Sequence, residues 1–344
     1  MKKRGWIAGI GLMIVFLWRP AAEVEGAREA MAQWYYAVAP ALFPFMLLLP
    51  MIQCAEALSF YEKALGDAMK RLFNLPGPAA FAVMVGMLAG SPAGCAAARR
   101  AAEDGHMDAG QLTRLAAAVG GVSPAFLVSG VGASMLGSAR LGWVLLRTQL
   151  VVQIVMLFML RPLDGGTRIP AGTDVNTEND NPMTGALVAI LSVAGYMAFF
   201  GALTRVVRSV VGEAAGSALL CAMEVSSGAR AISAMDLDTP VKLIALSALT
   251  GFGGLCVGMQ NYSFLKEMGV KLWVFLAARL EAGLLSAAIT FIQFSWLPIP
   301  VQTFEINPFR AAALLACVAA LPALLAFGKY NIWYEGNHAY TRSV

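Results

Sequence analysis

The sequence predicts an all-α polytopic membrane protein made of two inverted repeats, each with a re-entrant hairpin and a broken helix. Three observations carry that prediction. The composition is 58% hydrophobic and 13% charged, where a soluble domain carries roughly a quarter charged residues. Several apolar windows are long enough to cross a hydrocarbon core of about 30 Å. Interruptions rich in Gly, Ser and Pro recur at matching places in the two halves of the chain.

The chain has 344 residues and a net charge of +4, with its basic residues scattered between apolar segments. That pattern marks membrane flanks and argues against nucleic acid as a partner. Cys54, Cys95, Cys221, Cys256 and Cys317 all lie in apolar stretches without paired metal-ligand spacing, and His106 and His338 are the only histidines. No disulfide framework, no metal site and no cofactor is expected. Nothing resembles a nucleophile with its base or a phosphate loop, so no enzyme and no catalytic residue is expected.

Lys2, Lys3 and Arg4 precede an apolar run from Gly5 to Trp18, like the first two regions of a secretory signal. Trp18-Arg19-Pro20 follows at once, and Ala21, Ala22 and Gly26 make a poor cleavage site. The reading favours an uncleaved first helix with its N-terminus in the cytoplasm, residues 1–34 comprising this helix and a connector. Simple spanning windows follow at 37–56, 142–161, 184–203, 272–294 and 308–328. Residues 57–75 alternate Leu58, Phe60, Leu65 and Phe73 with Glu62, Lys63, Asp67 and Arg71, fitting either an interfacial helix or a polar-faced connector.

Four further apolar stretches are interrupted. The breaks fall at Gly90-Ser91-Pro92-Ala93-Gly94 within 79–102, Gly120-Gly121-Val122-Ser123-Pro124 within 112–136, Glu224-Val225-Ser226-Ser227-Gly228 within 214–235, and Gly251-Phe252-Gly253-Gly254 within 241–265. Gly94 matches Gly228; Leu115, Ala117 and Gly120 match Leu246, Ala248 and Gly251; Trp143 and Leu150 match Trp273 and Leu280. This gives a first repeat over 35–161, a polar, turn-rich linker over 162–183, a second repeat over 184–294 and a C-terminal helix and tail over 295–344. If the first interrupted segment of each half is a hairpin, an odd number of crossings separates equivalent points, and the second unit is inverted.

A broken helix is tolerated at membrane depth only where it is buried in protein or lines a wet cavity. The freed N–H groups after Pro92, Pro124, Gly228 and Gly254 suit anionic groups, and freed carbonyls suit a cation. Close packing by small residues is the plainer explanation of any single break. Glu224 is the strongest candidate, either binding a coupling cation or pairing with Arg230. Ser91, Ser123, Ser226 and Ser227 supply hydroxyls, and Gln260 and Asn261 can both donate and accept. Arg147, Arg279 and Glu281, within or near spanning helices, are read as snorkelling groups or a buried pair. His106 is assigned no role.

At Gly90-Ser91-Pro92-Ala93-Gly94, at Arg114 through Phe126 and at Glu224-Val225-Ser226-Ser227-Gly228, the chain resembles the sporulation integral membrane protein family, whose members carry the nucleoside-recognition or Gate domain. The likeness covers nearly the whole chain. Ser91 replaces the Tyr of the family's Gly-Tyr-Pro-x-Gly turn, Gly120-Gly121-Val122-Ser123-Pro124 stands for its Asn-Asn-Ser-Gly-Pro-like break, and Ser226-Ser227 stand for Thr-Asn. The resemblance implies a multi-pass protein of a spore-former, needed for cortex and core maturation, with an architecture similar to concentrative nucleoside transporters. It also implies dipicolinate movement across the outer forespore membrane.

The expectation is therefore a sporulation-associated transporter of a small polar solute in the cell membrane. Its solute would bind around Ser91, Ser123, Glu224, Ser226, Ser227, Gln260 and Asn261, with H+ or Na+ as coupling cation and a homo-oligomer by analogy with similar transporters. The alternative is a non-transporting scaffold, or a sensor of a nucleoside-like ligand, in the same bilayer.

Overall fold

Lipid offers no partner to backbone N–H and C=O groups, so an apolar chain has to satisfy them within its own helices. The computed structural model describes residues 5–52, 55–103, 105–170, 182–211 and 221–296. Helices are the regular structure throughout these residues, with one isolated bridge between Asp108 and Arg168. The expected helix at 308–328 and the tail lie outside the described residues, as does half of the linker, residues 171–181.

α1 (Gly5–Trp18) ends at Arg19, and Pro20 opens α2 (Pro20–Gln33) at the position where a missing N–H is harmless. α2 runs without interruption through a π-helical turn (Trp34–Val38) into α3 (Ala39–Ile52). The boundary expected at 34/35 therefore falls inside one helical run. α4 (Ala55–Ala68) continues through a second π-helical turn, Met69–Phe73, whose Met69 and Phe73 are buried. Asn74 ends it with a left-handed φ of 52°.

α5 (Ala79–Leu88) and α6 (Ala93–Ala102) fold back on each other. Their approach requires glycine: a Cβ on Gly94 would lie 3.0 Å from the Gly86 Cα and 2.5 Å from the Val119 carbonyl oxygen. α7 (Ala109–Val119) starts at a reciprocal capping box, Asp108 with Gln111. After the break at 120–124 comes a π-helical arm, Phe126–Met135, then α8 (Ala139–Met159), α9 (Pro182–Val211), α10 (Val225–Ala234), α11 (Thr239–Phe252), α12 (Gly254–Leu265) and α13 (Leu272–Trp296).

Four helical stretches among the described residues are long and apolar enough to span a membrane: Ala139–Met159, Met183–Val210, Thr239–Leu265 and Leu272–Phe294. Three coincide with windows expected as simple spans. The remaining one is α11 and α12 taken together across the expected break, where Gly253 and Gly254 have φ of 88° and 75°. Only glycine adopts such angles without strain.

The halves pack reciprocally. α6 lies on α12 while α10 lies on the 126–135 arm, and α7 lies on α13 while α8 lies on α11. α6 thus meets the second arm of the broken segment α11–α12, and α10 meets the arm that follows the break at 120–124.

One ion pair ties the first half together. Arg114, fully buried in α7, places Nε 2.8 Å from Asp164 Oδ1 and donates through Nη2 to Asp164 Oδ2 at 2.9 Å. Its Nη1 donates to the carbonyls of Phe73 and Leu157, 2.6 Å each. Asp108 accepts from the Gly165 N–H, and Ile169 N–H donates to the Met107 carbonyl, so the opening of the linker is docked on the turn before α7. Removing one partner of a buried pair leaves an uncompensated charge. Arg114→Met is expected to lower the stability of the purified protein by roughly 3–5 kcal/mol, read as a fall in its thermal midpoint. An unchanged midpoint would remove this pair from the account of the fold.

Candidate functional site

The breaks of the first half are built against each other. Ser91 N–H donates to the Gly121 carbonyl at 2.6 Å. Gly90, with φ of 68°, sits where a Cβ would lie 2.7 Å from the Ser123 Cα. Ser123 caps the π-helical arm, its hydroxyl accepting from Phe126 N–H at 3.1 Å. In the second half, α10 begins at Val225 and not after Gly228 as expected, because Glu224 folds its own carboxylate over the helix N-terminus. Its two oxygens accept from Ser226 N–H at 2.9 Å and Ser227 N–H at 2.6 Å. A carboxylate there satisfies two orphan amides and offsets the positive end of the helix dipole.

These breaks face a cavity of about 490 Å³. Ser91, Ser123, Glu224, Ser226 and Gln260 line it, so five of the seven residues singled out in the sequence share one wall. Ser227 faces a smaller recess of about 30 Å³ between the Glu224 break, α2 and α9. Asn261 does not line the cavity. It is fully buried behind it, accepting from the Ser91 hydroxyl at 2.5 Å and donating to the Gly120 carbonyl at 3.1 Å. Its task here is to hold the two first-half breaks together.

The rest of the lining was not singled out from the sequence. The α2–α3 run contributes Gln33, Tyr36 and Leu42, α9 contributes Met197, and the π-helical arm contributes Phe126, Ser129 and Ser134. Arg230 also lines the cavity, and no Glu224–Arg230 ion pair is found among the described residues. Six residues of helix separate the two charges by about 9 Å along the axis of α10. The cavity therefore has a buried carboxylate near one end of α10, a guanidinium further along it, and hydroxyls and aromatic side chains in its lining. Alternation of Ser129 and Ser134 with Phe126 and Met135 along one face was the sequence signal that could have found the arm.

Of the two readings of Arg279 and Glu281, snorkelling or a buried pair, the structure shows neither among the described residues. Arg279, 2% exposed, donates to three backbone carbonyls, those of Ala117 at 2.7 Å, Phe252 at 3.3 Å and Gly251. Residues two apart on a helix point in different directions, which is why Glu281 is out of reach. Register foretells part of this. Trp143 and Trp273 are 130 apart, and Gln149 and Arg279 are also 130 apart (273 − 143 = 279 − 149). Gln149 donates to the Val122 carbonyl at 2.6 Å, so both positions hold carbonyls at a helix break. Arg147 donates to Gln293 on the exposed side of α8. Glu281 is fully buried, and neither carboxylate oxygen has a hydrogen-bond partner among the described residues.

Compared with known proteins, the chain is 24% identical over 324 residues to the sporulation integral membrane protein YlbJ of Bacillus subtilis (strain 168), a match covering 81% of this chain and 79% of that relative. No family model and no solved structure matches it.

Two substitutions test the polar core behind the cavity. Asn261→Leu strands the Ser91 hydroxyl and the Gly120 carbonyl, at about 1–3 kcal/mol for each buried unsatisfied group, so the thermal midpoint is expected to fall clearly. Glu281→Met removes a buried carboxylate without a partner, and the midpoint is expected to rise. A fall for the second variant would mean that Glu281 is engaged by a group not seen here.

Proposed function

We propose that this YlbJ-like chain, a sporulation-related integral membrane protein, is a permease that binds a small polar solute in the cavity between its broken segments. The observation that carries the reading is the convergence of Ser91, Ser123, Glu224, Ser226 and Gln260 on one space of about 490 Å³. Breaks in both halves contribute to that wall. A scaffold has no need of such a convergence, whereas a carrier needs polar groups and irregular backbone near the middle of the bilayer.

Reciprocal packing of hairpins on broken helices supports two repeats related by an internal two-fold axis, with the solute between them. In this reading the second unit is inverted, and the arrangement is similar to that of concentrative nucleoside transporters. Alternate access then amounts to one repeat rocking against the other.

The solute we favour is dipicolinate, moved across the outer forespore membrane. It is a small, flat aromatic dicarboxylate, and Tyr36 and Phe126 offer ring faces in the lining. Glu224 already occupies the N-terminus of α10, so a solute carboxylate is left with Arg230 and the hydroxyls of Ser91, Ser123 and Ser226. A coupling cation, H+ or Na+, belongs on Glu224, whose oxygens each have a lone pair left after accepting one amide.

Uptake of radiolabelled dipicolinate, with uridine for comparison, into proteoliposomes carrying the full chain tests the reading. Wild type is expected to accumulate dipicolinate. Arg230→Ala and Glu224→Gln are each expected to reduce uptake at least tenfold, the latter by weakening the cap as well as removing the charge. No uptake of either solute by folded protein would leave the scaffold or sensor reading standing instead.

A further inference from the structure

The last carbonyls of a helix have no partner within it, and that end carries about half a negative charge, which makes a broken helix a natural seat for a cation. Unwound carbonyls and half-helix C-termini hold coupling Na+ in transporters built from such helices. Here two C-termini turn their last carbonyls to one side chain. α7 ends at Val119 and α11 at Phe252, and each helix is the first arm of a broken segment.

The amide of Gly120 caps the Ala116 carbonyl and that of Gly253 caps the Leu249 carbonyl. The carbonyls of Ala117, Gly251 and Phe252 go to a single side chain, Arg279 on α13. No acidic side chain forms an ion pair with Arg279 among the described residues. Its positive charge, 2% exposed, is therefore balanced by helix ends. A guanidinium suits this seat because it is always charged, weakly hydrated, and directs five N–H donors in a plane. The matching position in the other half carries the neutral Gln149, which makes one such bond.

We infer that Arg279 is a tethered counter-ion that fills the seat a coupling Na+ would take where the two broken helices meet, so that no metal cation binds there. The inference deepens the permease reading by removing this seat from the coupling scheme, which leaves Glu224 as the place for a coupling cation. It bears on stability as well as transport, and can be read without any solute.

The test is thermal unfolding of the purified full chain at constant ionic strength in Na+, K+ or N-methylglucamine. It compares wild type, Glu224→Gln, Arg279→Lys and Arg279→Gln, the last placing in the second half the residue that the first half already uses. In the Glu224→Gln protein the midpoint is expected to be the same in all three salts. Arg279→Gln is expected to melt lower than Arg279→Lys, and to regain stability saturably with millimolar guanidinium. An Arg279→Gln protein as stable as wild type, or one indifferent to guanidinium, would overturn the inference by showing that hydrogen bonding alone suffices. Saturable stabilisation by Na+ in Glu224→Gln would overturn it too, and that arm decides the matter if the Arg279 variants do not fold. Failure of folded wild type to take up either dipicolinate or uridine would defeat the permease reading while leaving these melting results intact.

Discussion

Backbone groups freed at a helix break have to find partners inside the protein, and that constraint organises this molecule. The breaks at 90–94, 120–124, 224 and 253 release amides and carbonyls in an apolar setting, where each unpaired group is costly. Gln149 takes the Val122 carbonyl, Asn261 the Gly120 carbonyl, Arg279 those of Ala117, Gly251 and Phe252, and Glu224 the amides of Ser226 and Ser227. Much of the polarity buried in the chain is therefore committed to its own backbone. What is left over for a solute is the remainder of that accounting.

This separates residues that looked alike. Asn261 is committed on both sides, to Ser91 and to Gly120. Glu224 and Ser123 cap helix starts and still face the cavity. The two halves also differ where the repeat would make them equal. Asn261 aligns with Gly130 (261 − 130 = 251 − 120 = 131). Its side chain closes the contact between α6 and α12, whereas Gly130, having none, lines the open space between the π-helical arm and α10.

The spans at 142–161, 184–203 and 272–294 were legible because window hydropathy reports directly on burial in lipid. The breaks were legible because Gly, Ser and Pro perturb helices locally. Choice of partner was not. Arg279 and Glu281 are neighbours in sequence, but partnership follows the helix surface and the approach of α7 and α11, which no local pattern encodes. Arg114 was not singled out, because its pairing with Asp164 depends on the linker folding back over the turn before α7. Likewise the start of α10 was misplaced towards Gly228, since the glycine is obvious and a glutamate capping its own helix is not. Gly228 serves the close approach to Cys221 instead, where a Cβ would come within 2.9 Å of the Cys221 Cα.

The crossing of α2 and α9 is made by Gly26 and Gly201, where a Cβ on Gly26 would lie 2.5 Å from the Gly201 carbonyl oxygen and one on Gly201 would lie 2.7 Å from that of Gly26. Two helices in backbone-to-backbone contact, pinned further by the Trp34 indole donating to the Ile190 carbonyl, behave mechanically as one slab. With the π-helical turn and α3 that continue α2, this pair supplies Gln33, Tyr36, Leu42, Val193 and Met197 to the cavity, and among the described residues α9 also packs on α12 and α1. Parting the two helices would open a seam with no side chains to refill it.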